Sequence, residues 1–347
     1  MRRMCHGHFQ ASKPVTRIAP IRYASFDHNA IRIQPVAATK GNIALDWFRS
    51  AAWVPSVPLH MRDSHRLPAM MSWFSSGGSE TGSILLGDKL LSFGDVMLSY
   101  ELVTSSDNYG LSAGCSLDCL QGFQTWLKDL SDEQHSHVLS ELVDRLVNSA
   151  EAGHSHFLQF NAPLNFFTKA AQYNRDMNSP SCHIKQLYIA QSDIRSLPAP
   201  LREDLPVPDI VGQAGKGDIY NSSIWLGLQP TYTPLHRDPN PNLFCQLAGS
   251  KAVRLLRPRD GQFVFQDVRR KLGVVGNSRF RGAEMMDGPE RDGLHHATWI
   301  LPHPSREIWE AVLAPGDALF IPQGWWHSVR SVGRDAEINA SANWWFR

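Results

Sequence analysis

From residue 183 onward the apolar positions fall in short runs separated by Gly and Pro: 186–191, 223–229, 243–247, 252–258, 262–265, 308–313, 318–322 and 338–346. Runs of this length, rich in β-branched and aromatic residues and bounded by turn formers, predict strands. So many short strands in series predict a jelly roll, a double-stranded β-helix. A small closed barrel of that kind has an interior that can hold one ligand. Upstream the period changes. Val138, Leu139, Leu142, Val143, Leu146 and Val147 recur at helical spacing. Ser131 with Gln134 reads as a capping box opening that helix, and Gly153 suits its end. Residues 163–174 predict a second helix, with Pro163 at its start. Both read as helices packed against a sheet. Residues 31–73 predict an irregular entry segment with one or two strands. Residues 85–103 predict strands with a turn at Gly94-Asp95, and 107–114 predict a loop. The expected class is an all-β core with flanking helices (α+β).

This pattern divides the chain into a basic N-terminal tail (1–30), a segment of mixed strands and packing helices (31–182) and the barrel (183–347). A polar insert at 267–304 interrupts the barrel. A loop that long is often a functional lid, so the insert is expected to set substrate choice. Its His295, His296 and His303 read as solvated or substrate-facing, with a second metal site as the alternative.

Composition changes the picture little. Lys and Arg number 34 against 33 Asp and Glu, so no global basic field points to nucleic acid. No apolar run is long enough to span a bilayer. The first 26 residues stand apart: Arg2, Arg3, Lys13, Arg17 and Arg22 are basic, and no acid precedes Asp27. That fits a mitochondrial presequence or a plain basic tail. The five cysteines are odd in number and irregular in spacing, which argues against a disulfide framework and for an intracellular protein. Cys115 and Cys119 lack the second pair that a zinc site needs. The Gly-rich loop at 75–82 lacks the Lys-Ser/Thr ending of a phosphate loop.

The chemistry centres on Thr233-Pro234-Leu235-His236-Arg237-Asp238. On a strand, His236 and Asp238 share one face. Much later, Gly324-Trp325-Trp326-His327 supplies a third candidate ligand, His327. Two histidines and one carboxylate on one face of an octahedron leave positions open for O2 and a co-substrate, the arrangement of non-haem Fe(II) oxygenases. Lys251 follows His236 by 15 positions on a later strand. A buried lysine there needs an anion, and the far carboxylate of 2-oxoglutarate would serve. Thr233 and Tyr188 could add hydroxyl donors. Arg237 lies between the two ligands and should face the other way.

Residues 225–258 and 312–327 resemble the Jumonji C and cupin-like 2-oxoglutarate oxygenases, in particular their asparaginyl-hydroxylase branch. The family's threonine three before the first ligand is matched by Thr233, its asparagine six after by Asn242, and its co-substrate lysine by Lys251. Its upstream tyrosine is matched by Tyr188, and its late asparagine before two aromatics by Asn343. The resemblance covers roughly the second half of the chain. It implies the cupin fold, and Fe(II) held by His236, Asp238 and His327. It also implies 2-oxoglutarate near Asn242 and Asn343 at one end and near Lys251, Thr233 and Tyr188 at the other. The expected reaction is hydroxylation of a protein side chain, or demethylation by way of hydroxylation, with succinate and CO2 as co-products. Trp345 matches an aromatic that borders substrate in that branch.

Alternatives stay open at this point. Thr233 suits a strand end and Asn242 a turn, and at least two of Trp325, Trp326, Trp344 and Trp345 suit the core. The substrate could be a small molecule or a tRNA base, or the fold could bind a metal without turnover. The zinc fingers usual in histone demethylases are not seen. The resembled branch dimerises through helices beyond the barrel, whereas this sequence stops at Arg347. A monomer or a different dimer is therefore expected.

Overall fold

The computed structural model describes residues 33–347 except 78–82, 105–113, 131–132, 153–155, 274–285 and 287. The described residues belong to one compact unit. Eight strands precede the barrel: β1 (Ile33–Pro35), β2 (Ala38–Lys40), β3 (Leu59–Arg62), β4 (Phe74–Gly77), β5 (Ser83–Leu86), β6 (Met97–Val103), β7 (Phe157–Pro163) and β8 (Leu187–Asp193). Eight build it: β9 (Ile219–Leu228), β10 (Tyr232–Arg237), β11 (Asn242–Ala248), β12 (Ser250–Leu256), β13 (Ile308–Leu313), β14 (Ala318–Ile321), β15 (Trp326–Val332) and β16 (Ile338–Phe346).

The large sheet runs β2-β3-β14-β11-β16-β9-β8-β6-β7, and the smaller one β1-β13-β12-β15-β10. From β9 to β16 the chain changes sheet at every step but one, from β12 to β13. The result is a double-stranded β-helix, the jelly roll that the run pattern predicts. Strands β3 and β8 flank the barrel's part of the large sheet, and β6 and β7 extend it. The chain on either side of residue 183 therefore shares one hydrogen-bonded sheet.

Period-two alternation explains where the core and the site go. On β16, Ala340, Ala342, Trp344 and Phe346 pack into the main hydrophobic core. Asn339, Ser341, Asn343 and Trp345 take the other face, into the barrel. On β11, Leu243, Cys245 and Leu247 join the outer core, while Phe244 joins an inner cluster with Val253, Leu255, Leu319, Ile321 and Val329. Both faces are covered, so the strand is buried throughout. The outer cover includes three helices, Leu117–Asp129, Glu133–Glu151 and Leu164–Asp176. Phe123, Leu127, Leu139, Val143, Phe166 and Phe167 carry their apolar faces into the same core. No helix among the described residues is long and apolar enough to cross a membrane.

Several elements differ from the sequence expectation. Residues 262–265 are not a strand but part of the helix Pro258–Lys271. Pro258 at its first turn presets the helical backbone. Gly261, Val264, Phe265 and Val268 are its buried face, spaced for a helix rather than a sheet. Between β5 and β6 the helical turn Asp88–Leu91 replaces continuous strand. The entry segment holds three strands, not one or two, because β1 and β2 pair in parallel with β13 and β3. The helix Leu117–Asp129 went unforeseen, though Ser116 caps it by accepting from the Cys119 amide at 3.2 Å. Ser131 and Gly153, the expected ends of the neighbouring helix, lie outside the described residues. His295 is not solvated: it is buried at 2% exposure, edge-on to Tyr232.

Gly261 matters to the site because a Cβ there would come within 2.1 Å of the Trp326 side chain. In an open helix, Gly to Ala stabilises by about 1 kcal/mol. Here overpacking costs ~1–3 kcal/mol, so Gly261→Ala lowers the urea midpoint of unfolding instead of raising it.

Candidate active site

The site is assembled by the pairing of β10 with β15. In that antiparallel register His236 lies directly opposite His327. Their ring centroids are 4.2 Å apart. Asp238 follows just past the end of β10. Its Oδ1 is 3.8 Å from His236 Nε2, and its Oδ2 is 3.5 Å from His327 Nε2. Among the described residues this is the group of three His, Cys, Asp or Glu side chains whose ligand atoms converge, all within 4.8 Å of one another. His296 and His303 are not in such a group, nor are Cys115 and Cys119.

The imidazoles are held from behind. His236 Nδ1 lies 2.8 Å from the Pro234 carbonyl, and His327 Nδ1 lies 3.2 Å from the Trp325 carbonyl. An Nδ1–H donated to a carbonyl leaves the lone pair on Nε2, the atom turned to Asp238. The carboxylate is held as well. Asn242 Nδ2 donates to Asp238 Oδ2 at 3.1 Å, and Trp345 Nε1 donates to the same oxygen at 2.7 Å. Asn343 Nδ2 in turn donates to Asn242 Oδ1 at 3.0 Å. Burial pushes the Asp238 carboxyl up, but the His327 and His236 imidazoles and these two hydrogen bonds outweigh it and hold the group below its ordinary range. Two imidazole nitrogens and an ionised carboxylate form a donor set suited to Fe(II).

Lys251 sits deeper in the same cavity, on β12, and is 1% exposed. Its Nζ donates to Tyr188 Oη at 3.0 Å and to Ser341 Oγ at 2.9 Å. Both partners are neutral, and burial pulls the lysine down to about 7. A buried ammonium with two hydroxyls and the Tyr188 and Phe244 rings around it but no carboxylate is a ready receptor for one. Tyr188 reaches it because Gly227 lies opposite on β9, where a Cβ would come within 2.6 Å of the Tyr188 ring.

The eight residues singled out from the sequence, Tyr188, Thr233, His236, Asp238, Asn242, Lys251, His327 and Asn343, all line one cavity of about 230 Å³. Asn242 touches the carboxylate, Asn343 touches Asn242, and Thr233 is buried in the wall. Sequence reasoning missed two contacts. Ser341 is a partner of Lys251, and Trp345, expected to border substrate, is also a donor to Asp238. The signal was period two: Ser341 and Trp345 flank Asn343 two positions away on either side, so the three share a face. Arg237 turns its guanidinium toward the Trp326 ring, 5.6 Å from its centroid.

Comparison with known proteins agrees with this geometry. Residues 119–347, more than half of the chain, match the cupin-like domain. Lysine-specific demethylase 8 of Danio rerio is 30% identical over 161 residues, covering 46% of this chain and 36% of that protein. Jumonji C domain-containing protein 5 of Drosophila melanogaster is 29% identical over 160 residues, again 46% and 36%. Lysine-specific demethylase JMJ30 of Arabidopsis thaliana is 27% identical over 173 residues, 49% of this chain and 36% of that one. The matched region thus spans about a third of the length of these relatives.

Trp345→Phe keeps the ring and removes the donor to Asp238. Loss of such a supporting hydrogen bond weakens metal affinity by roughly 10–100-fold. Titration of Mn(II) into the two proteins, followed by electron paramagnetic resonance, reads that difference.

Proposed function

Because this chain belongs to the cupin-like domain family, we propose that it is an Fe(II)- and 2-oxoglutarate-dependent oxygenase that hydroxylates an uncharged side chain of a protein. The observation that carries the reading is the pairing, in one cavity, of the His236–Asp238–His327 group with a buried lysine that lacks a carboxylate partner among the described residues. His236, Asp238 and His327 would hold the metal. Lys251, Tyr188 and Thr233 would hold the far carboxylate of 2-oxoglutarate. Asn242 and Asn343 would orient Asp238 and border the near end. Bound iron and co-substrate supply the oxidation: one atom of O2 goes to the substrate carbon and the other to succinate, with loss of CO2.

The chain's own groups do the positioning. Asn242 and Trp345 keep Asp238 ionised and aimed. Trp225, Phe244 and Val329 give the cavity apolar walls, which limit water around the reacting carbon. Asp238 is the lone carboxylate among the described lining residues, and Arg237 is a cation on the rim. That balance disfavours a cationic side chain and supports hydroxylation of a neutral one. The names of the relatives favour a second reading, demethylation of a methylated lysine. The two differ in product: a hydroxylated substrate keeps its carbons, whereas a demethylated one releases formaldehyde.

The direct test is succinate release from 2-oxoglutarate by the Fe(II)-loaded protein. Release in the parent that is lost in His236→Ala supports the reading. Absence of both release and 2-oxoglutarate binding by calorimetry rejects it.

Lys251 adds a pH signature. Near pH 8 the empty site holds this lysine mostly neutral, while a bound carboxylate favours the ammonium. Binding of 2-oxoglutarate therefore takes up close to one proton at about pH 8 and almost none at about pH 6. Calorimetry in buffers of different ionisation enthalpy measures it. The lysine's folded value lies below its unfolded one, so its cost to the empty fold is complete below about 7 and fades as pH rises toward about 10.5. Lys251→Met abolishes co-substrate binding, yet raises the stability of the empty protein more at about pH 6 than at about pH 10.

A further inference from the structure

A second cleft, of about 500 Å³, shares the Gln191 side chain with the metal cavity. Its other walls include Met97 and Ser99 from β6, Asn161 from β7, and Ser192 and Asp193 from β8. Gln191 is exposed and stands at an irregularity in β8, where the register with β9 shifts between Ile189 and Ser192. Its φ of +53° is left-handed, a conformation that non-glycine residues rarely adopt. A bulge re-aims a side chain, and Gln191, at this one, lines both cavities.

We propose that the second cleft is the subsite for residues flanking the modified one, so that the substrate is an extended polypeptide crossing Gln191 as it leaves the metal cavity. The inference rests on the oxygenase reading above.

The chemistry of the track selects this occupant. Asn221 and Gln191 on the metal side and Asn161 on the other are carboxamides. The Asn161 and Asn221 oxygens each accept one bond from the protein, from Ser99 Oγ and the Ser222 amide, and a carboxamide keeps amide donors and a second lone pair, the complement of a peptide unit. The second cleft carries no uncompensated charge among the described residues. Its one carboxylate, Asp193, takes hydrogen bonds on both oxygens from Arg195, at 3.1 Å and 2.8 Å. A polynucleotide would need cations along its path, and the cleft's lining has none. A small molecule would occupy the metal cavity and leave the cleft unused. An extended chain advances about 3.3 Å per residue, so a few residues beyond the modified one fill it.

The test uses the full chain loaded with Fe(II) and 2-oxoglutarate and two peptide pools with a varied central residue. One pool has peptides of about ten residues; the other has tripeptides capped by acetyl and amide groups. Succinate release above the peptide-free rate and gain of one oxygen atom by mass spectrometry are read together. The expected result is a kcat/KM for the long pool at least roughly tenfold above that of the capped tripeptides. Asn161→Trp fills the cleft from an exposed edge and brings that ratio toward one. Because a ratio is read, partial misfolding does not imitate the effect. Gln191→Ala, a smaller change, lowers the same ratio. The proposal is overturned if neither pool stimulates turnover, if tripeptides or short oligoribonucleotides serve as well as long peptides, or if Asn161→Trp leaves the ratio intact. Failure of the oxygenase reading looks different: the parent neither releases succinate beyond the level of His236→Ala nor binds 2-oxoglutarate by calorimetry, and both readings fall together.

Discussion

The antiparallel ladder between β10 and β15 is the constraint on which the site depends. It brings His236 opposite His327 although the two are distant in sequence. Slipping that ladder by one residue would turn one imidazole out of the barrel, because side chains alternate across a strand. The register is fixed from both sides: β15 also pairs with β12, setting Leu255 opposite His327. The helix Pro258–Lys271 then packs on Trp326, next to His327, through a position that only glycine fits.

Within that frame the interior is polar where a jelly roll is otherwise filled with aliphatic side chains. The cost is visible in two opposed groups. Asp238 keeps its charge because two imidazoles and two hydrogen bonds offset its burial. Lys251 has two hydroxyl partners but no opposite charge beside it, and is pulled down to about 7. A site that leaves one buried group destabilised in the empty protein is prepared for a ligand that restores its charge. The outer faces of β11 and β16 offset this by burying Leu243, Leu247, Trp344 and Phe346 against the helical layer.

The polar interior also frames substrate choice. The carboxamides at Gln191 and Asn221 and the aromatic walls offer hydrogen bonds and apolar contact without a net field. Such a surface discriminates by shape and by unmet hydrogen bonds more than by charge. Gln191 stands at a register shift in β8, outside the eight strands that carry the His236–Asp238–His327 group.

The sequence by itself determined the fold class and most of the site. Period-two runs marked seven of the strands, and the spacing of His236 and Asp238, with the late His327, marked the candidate ligands. These signals are local, so alternation and short spacings suffice to read them. The tertiary structure decided what depends on partners far along the chain. Residues 262–265 became helix because Val264, Phe265 and Val268 bury against Trp326 and Leu235, a face that a four-residue window does not reveal. Trp345 became a donor to Asp238, and Ser341 a partner of Lys251, because β16 pairs with β11 in one register. His295 left the expected solvated surface to lie against Tyr232. Hydrogen-bond partners, burial and the depressed lysine are properties of distances between strands, and no stretch of sequence contains those distances until the sheets close.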